Sequence, residues 1–185
     1  MKKTIVLFAV FMLLCLAACG RANTPEPAAP SPIGETQLAN PWREISAAEA
    51  ETLCPGSFHA PDGAENAVWS VLDSVADPSG VPGPLVQLAF DLNGNRFTAR
   101  LQRTDDKEAD LSGMYYTWTV QDEGTLDIGT DEPLPCRFCR FIGENEYADL
   151  CAWYDAHSGV SYSLGVSARD LDGFDILAVA EALFR

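Results

Sequence analysis

Apolar and polar side chains alternate in several runs of this chain, and a period of two is typical of β-strands with one buried face. Two such runs, 85–92 and 97–101, are separated by Asn93-Gly94, a pair that favours a two-residue hairpin turn. An antiparallel hairpin is therefore predicted over these residues. The same alternation predicts further strands over 114–121, 135–142, 147–154 and 160–167.

Helical patterns flank these strands at both ends. Ser46 and Glu49 have the spacing of a capping box, which predicts a short helix to about Leu53. The last residues, from about Ile176, place apolar side chains on one helical stripe, and the acidic residues before them suit the positive end of the helix dipole. A short first helix and an amphipathic last helix are therefore predicted.

The fold class follows from this arrangement of strands and helices. Segment 64–76 fits a helical face and a strand equally well by periodicity, and its β-branched and aromatic residues favour a strand. We therefore expect an α+β fold: an antiparallel β-meander sheet, with a short N-terminal helix and a C-terminal amphipathic helix packed on one face.

The N-terminal residues have the pattern of an export signal. Lys2 and Lys3 precede an apolar run, 5–16, that is too short to span a bilayer comfortably. The run ends in Leu-Ala-Ala-Cys-Gly at 16–20, which resembles the lipobox of bacterial lipoproteins. The resemblance implies cleavage before Cys19 and a lipid on that cysteine, which anchors the protein to the bacterial cell membrane on the extracytoplasmic side. Secretion without a lipid is the alternative.

Three regions are expected from this pattern. Residues 1–18 form the signal peptide, 19–41 form the lipidated cysteine with a linker rich in proline and alanine, and 42–185 form a single globular domain. Because the linker prolines favour extended backbone, the linker should hold the domain away from the membrane.

The charge balance excludes one class of partner. The chain has 27 acidic and 12 basic residues and a net charge of −15, so no nucleic-acid partner is expected. Removal of the signal takes away Lys2 and Lys3 but no acidic residue. The lipid on Cys19 is therefore the expected contact with the membrane, since anionic headgroups repel an acidic domain.

Three short motifs resemble an uncharacterised α+β domain of bacterial surface lipoproteins. They are Asn-Pro-Trp at 40–42 before a capped helix, Asp-Leu-Ser-Gly-Met-Tyr at 110–115, and Gly-Val-Ser-Tyr-Ser-Leu at 159–164 before the last helix. The resemblance implies an α+β fold at a bacterial surface. It implies no activity, because the activity of that family is itself unknown.

Four cysteines remain in the domain: Cys54, Cys136, Cys139 and Cys151. An even number outside the cytoplasm favours disulfides. If a hairpin turns near Asn145, Cys139 and Cys151 lie nearly opposite each other, which would pair Cys54 with Cys136. Buried free thiols, a four-thiolate zinc site and a redox-active dithiol are the alternatives, although isolated cysteines disfavour zinc and strand-like flanks disfavour the dithiol.

Catalytic motifs are missing from the sequence. It contains no Gly-x-Ser-x-Gly, no His-Glu-x-x-His and no phosphate loop. His59 and His157 lie in turn-like segments, and the neighbours Asp155 and Ser158 are too close in sequence to favour a catalytic arrangement with His157. The acidic runs lack calcium-loop spacing. We therefore expect no enzyme activity, no cofactor and no metal.

Two tyrosines stand out as candidates for partner contact. Tyr115 and Tyr154 fall on the polar sides of their predicted strands, where aromatic rings could form a small amphipathic patch. The sequence therefore predicts a non-catalytic domain that binds another protein or an envelope component. The alternative is a carrier of an apolar ligand held between sheet and helix.

Overall fold

A computed structural model describes residues 40–56, 58–76, 82–171 and 174–185, with the backbone alone for 74–76 and 82. These residues form an open antiparallel sheet of eight strands with two short helices, a mostly β fold. They belong to one compact unit, Ala39–Arg185. The predicted signal, Cys19 and the linker up to residue 39 lie outside the described residues. None of the described helices is both long and apolar enough to cross a membrane.

Ten elements make up the described fold. The strands are β1 (Arg43–Ile45), β2 (Glu65–Ala76), β3 (Pro82–Leu92), β4 (Asn95–Arg103), β5 (Val120–Leu126), β6 (Leu134–Ile142), β7 (Tyr147–Asp155) and β8 (Val160–Ala168). The helices are α1 (Ala47–Leu53) and α2 (Ile176–Ala182). Both helices begin at a side-chain cap, since Ser46 accepts a hydrogen bond from the Glu49 N–H at 3.1 Å and Asp175 accepts one from the Leu177 N–H at 3.0 Å.

The strand order explains why one connection in the fold is long. The order is β1-β2-β3-β4-β8-β7-β6-β5, and all pairs are antiparallel. Strands that are consecutive in sequence pair within β1–β4 and within β5–β8, and β4 pairs with β8 to join the two halves. The chain must therefore travel from β4 in the middle to β5 at one edge. Four strand spacings of about 4.8 Å separate these strands, or about 19 Å.

Most of the predicted strands are confirmed. The hairpin β3–β4 turns at Asn93 and Gly94, whose φ values of 52° and 80° fit a two-residue turn. The ambiguous segment 64–76 is a strand, and the predicted strands at 135–142, 147–154 and 160–167 correspond to β6, β7 and β8. The predicted strand at 114–121 is wrong over most of its length, because β5 begins only at Val120.

The two faces of the sheet differ in chemistry. Because side chains alternate along a strand, residues paired in register share a face. We call one face the aromatic face, since it carries Trp69, Phe90, Phe97, Trp153 and Tyr162. The opposite face, which we call the polar face, carries Gln87, Arg100, Gln102, Ser161 and Ser163.

The hydrophobic core contains the apolar residues of the aromatic face. Phe90 and Phe97 are fully buried and stack with their ring centres 5.3 Å apart. Trp153 stacks on Tyr162 at 5.1 Å, and the rings of Phe58 and Phe184 pack beside them. Burial of each such side chain stabilises the fold by about 2–3 kcal/mol. Helix residues Ala50, Ile176 and Ala180 belong to the same cluster.

Candidate functional site

The connection between β4 and β5, residues 104–119, crosses the polar face, and we call it the strap. Three contacts with successive parts of β8 trace its path. The Asp106 carbonyl accepts a hydrogen bond from the Ser161 hydroxyl at 3.2 Å, Met114 lies against Gly165, and the Tyr116 hydroxyl is 3.1 Å from that of Ser167. The strap therefore runs in the same direction as β8.

Arg100 fastens the strap to the sheet. Its Nη1 donates hydrogen bonds to the carbonyl oxygens of Leu111 at 3.0 Å and Ser112 at 2.8 Å, and its Nε donates to Gln87 Oε1 at 2.9 Å. Burial lowers the pKa of Arg100, while nearby Tyr115 and Asp110 raise it. The guanidinium stays charged at neutral pH, so these hydrogen bonds are charge-assisted.

A tight turn within the strap meets Arg100. Asp110 Oδ1 accepts hydrogen bonds from the Ser112 N–H at 3.0 Å and the Ser112 hydroxyl at 2.7 Å, and Ser112 Oγ accepts one from the Met114 N–H at 3.1 Å. Gly113 has φ +64°, and a Cβ at this position would lie 2.6 Å from Arg100 Nη1. Glycine is favoured here because its φ lies in the left-handed region and because a Cβ would displace the Arg100 guanidinium from its hydrogen bonds. These residues belong to the motif at 110–115.

Side chains alternate in direction along the second half of the strap. Met114 fills the space over Gly165, where a Cβ would overlap its sulfur. Tyr116 stacks on Phe141 with ring centres 4.9 Å apart, and its hydroxyl donates to Glu146 at 2.7 Å. Trp118 packs beside Tyr116 at 5.4 Å. The sequence alternation thus correctly indicates an extended chain with one covered side, but that chain lies on the sheet instead of within it.

Tyr115 points away from the sheet between these anchored neighbours. Its side chain is 93% exposed, the most exposed large apolar side chain among the described residues. An aromatic ring with a polar hydroxyl, held on a fastened backbone segment, has the amphipathic chemistry of an interface contact.

Tyr154 has different surroundings from Tyr115. It lies on the polar face at the end of β7, is partly buried, and faces Lys107, whose Nζ is 6.0 Å from the ring centre. The strap therefore already supplies a partner for Tyr154. Of the two tyrosines predicted for partner contact, only Tyr115 is fully presented to solvent.

Arg100 and Trp42 are site residues that the sequence analysis did not single out as such. The Arg100 guanidinium lies over the Trp42 ring, 5.2 Å from its centre. Trp42 comes directly before β1, so the beginning of the domain and the strap meet on one arginine. In the sequence, Arg100 is recognisable only as an arginine on the polar side of a hairpin strand. That position by itself indicates an exposed side chain and no contact with the strap.

The predicted disulfides are absent from the structure, which instead shows the alternative of buried free thiols. All four thiols are buried and free, and they are not at disulfide distance. Phe138, not Cys139, pairs with Cys151, so the register differs by one residue from the predicted one and places Cys139 on the polar face. Cys151 lies on the aromatic face, which excludes the predicted pair with Cys139. The predicted pair of Cys54 with Cys136 is likewise absent.

The thiols nevertheless have distinct environments. Burial raises the pKa of Cys54 to about 11. Cys136 and Cys151 share the aromatic face, and a hydrogen bond between them lowers the pKa of Cys136 and raises that of Cys151. Because Cys139 lies on the other face, the four thiols do not converge on one zinc ion. The described residues contain no cluster of three or more metal-binding side chains.

Asp155 stabilises a turn at the residues considered for catalysis. Its carboxylate accepts hydrogen bonds from the His157 N–H at 2.8 Å and from the Ser158 hydroxyl at 2.6 Å. The Ser158 hydroxyl thus donates to the carboxylate and not to an imidazole. His59 lies elsewhere, with its ring bonded to the Arg185 carbonyl.

One cleft among the described residues is polar. It has a volume of 890 Å³ and is lined by charged and polar side chains together with Ile142 and Leu171. The charged ones include Arg140, Arg169 and Glu144. Arg140 is held by Asp149, with Nη2 and Oδ2 2.6 Å apart. This lining differs from the apolar trough that a lipid carrier would need.

Comparisons with protein-family models, with curated proteins and with solved structures give no match to this chain.

Proposed function

We propose that the protein is a lipid-anchored extracytoplasmic binding module without catalytic activity, and that it contacts a protein or envelope component through the strap. The single observation that carries this proposal is Tyr115, whose 93% exposed ring stands on a segment fastened to the sheet. Tyrosine is among the residues most enriched where binding energy is concentrated at protein interfaces.

The bracing of the strap supports a binding role for Tyr115. Arg100 holds the turn before it, and Met114 and Tyr116 pack against the sheet on either side of it. The backbone that carries the ring therefore loses little conformational freedom when a partner binds, which raises affinity.

We further infer that both helices cover the aromatic face, as expected for the predicted fold. Leu177 of α2 lies beside Gly124, and Phe184 just after α2 packs on Trp153 and Tyr162. The described core residues fill the space between helices and sheet, with Phe58, Phe90 and Phe97 fully buried. This packing favours the binding module over a carrier of an apolar ligand.

A partner-capture experiment tests the proposal. The Tyr115→Ala variant, the Tyr154→Ala variant and the double variant are expressed at native level in the host, crosslinked in intact cells and recovered through an epitope tag. We expect Tyr115→Ala to lose the crosslinked partners and Tyr154→Ala to keep most of them, since Tyr154 already packs near Lys107. Retention of every partner by the double variant would contradict the proposal.

Membrane anchoring is tested separately through Cys19. The Cys19→Ser variant lacks the thiol that lipidation requires, so we expect the exported protein to move from the membrane fraction to the soluble fraction. Cys54→Ser is the matched control and should remain with the membrane. An unchanged membrane fraction for Cys19→Ser would remove the lipid anchor from the proposal.

A further inference from the structure

We propose that the strap binds an extended, positively charged polypeptide segment of its partner by strand addition, with Tyr115 packing against a basic side chain of that segment. This inference rests on the proposed function, because it names the kind of partner that the same surface takes.

The unpaired backbone of the strap is the first observation. The N–H groups of residues 115–118 donate no hydrogen bond to another described residue, whereas the flanking Met114 N–H is bonded to Ser112 and the flanking Thr119 N–H to Arg140. Backbone groups usually find partners in a folded protein. This stretch therefore offers backbone donors and acceptors in an ordered conformation.

The direction of these groups follows from the alternation of side chains. Met114, Tyr116 and Trp118 face the sheet, and Tyr115 and Thr117 face solvent. In an extended chain the backbone N–H and C=O groups point at right angles to the side chains. Those of the strap therefore point sideways across the sheet surface, where a second extended chain can lie beside them.

Charge determines which chain fits beside the strap. The first half of the strap carries Asp105, Asp106, Glu108 and Asp110 against a single Lys107. One lysine against four acidic residues leaves the first half of the strap with a net charge of −3. A segment rich in lysine or arginine complements this charge, and a basic side chain over the Tyr115 ring gains a cation–π contact.

A second copy of this chain is a poor occupant by the same reasoning. Two chains of net charge −15 would bring their acidic strap residues together. Repulsion between like charges across an interface makes the free energy of binding less favourable. A cationic partner therefore fits better than pairing of strap with strap.

Peptide binding tests the inference directly. A fluorescent peptide of alternating lysine and valine is titrated into the full-length protein in neutral detergent, and binding is followed by fluorescence anisotropy. We expect saturable binding that weakens at high salt. Two control peptides are used. One has glutamate in place of lysine, and the other is the lysine peptide with alternate backbone nitrogens methylated. Both should bind at least about five-fold more weakly than the lysine peptide.

Thr117 offers a matched pair of variants. Thr117→Pro removes one unpaired N–H without breaking an internal hydrogen bond, and an extended chain accommodates proline. Thr117→Val keeps that N–H. We expect Thr117→Pro to bind the lysine peptide about five-fold more weakly than Thr117→Val, the effect of one net hydrogen bond. Hydrogen exchange at residues 115–118 should also slow when the peptide binds.

The outcomes separate this inference from the proposed function. Equal affinity of the two Thr117 variants, or of the methylated and unmethylated peptides, would overturn strand addition even if Tyr115→Ala still loses its native partners. Dimerisation that Thr117→Pro abolishes would identify a second copy as the occupant and would also overturn it. Weaker binding by Thr117→Pro, with slower exchange at 115–118, supports the inference.

Discussion

Replacement of Arg100 by methionine should release the strap from the sheet. The change removes the donor to the Leu111 and Ser112 carbonyls, residues that are each 7% exposed, and the donor to Gln87. Each carbonyl left unpaired costs about 1–3 kcal/mol. Two effects reduce this cost: water reaches the two carbonyls when the strap lifts, and methionine keeps part of the side-chain packing. We therefore expect the free energy of unfolding to fall by about 3 kcal/mol.

The loss can be measured by urea unfolding followed through tryptophan fluorescence. For a domain of this size, each kcal/mol lowers Tm by about 2–4 °C, so Arg100→Met should melt about 10 °C lower than the parent. Hydrogen exchange in strap residues should increase most. Arg137→Met, at an exposed position on β6, is the control and should change the free energy of unfolding little. A loss below about 1 kcal/mol for Arg100→Met would refute the bracing role.

Three further predictions follow from single side chains. Gly113→Ala should destabilise the protein by about 1–3 kcal/mol more than Gly129→Ala in thermal melts, because both glycines have positive φ but only a Cβ at 113 would overlap Arg100. Because the folded pKa of Cys54 is about 11 and the unfolded value is about 8.5, the free energy of unfolding should fall as pH rises from about 8.5 to 11, and Cys54→Ala should flatten that fall. The mass of the intact protein should not change on reduction, and iodoacetamide should label the four buried thiols only after unfolding.

The sequence predicts the strands well because alternation reports which side of a chain is covered. It does not report what covers that side. Residues 114–118 alternate as clearly as β8, yet their covered side chains rest on top of the sheet. The N–H groups of 115–118 donate to no described residue. A strand within the sheet and an extended segment lying on the sheet therefore show the same alternation of side chains in the sequence. Only the three-dimensional order of the strands distinguishes them.

The cysteine pairing shows a second limit of sequence reasoning. The sequence correctly predicts a hairpin of 135–142 and 147–154, but the register is displaced by one residue from the one that joins Cys139 to Cys151. Since side chains alternate, that small shift moves one thiol to the opposite face. Turn geometry sets the register, and the sequence of residues 143–146 does not specify it.

The long-range contacts of the candidate site are also invisible in the sequence. Trp42 comes 58 residues before Arg100 and Ser112 comes 12 residues after it, and nothing in this spacing indicates that they meet. Tyr115 was predicted as a contact residue from its polar-side position alone. Its exposure depends on the turn at Gly113 and on Met114 packing over Gly165.

Site-specific photo-crosslinking at Tyr115 tests the central claim most directly. A photoreactive phenylalanine analogue replaces Tyr115 in the full-length protein in its host, and the same analogue at Thr125 on the edge strand β5 serves as the control. We predict a discrete adduct at 115, with a basic segment of the partner at the crosslinked position, and little adduct at 125. No adduct at 115, or adducts of equal yield and identity at both positions, would contradict it.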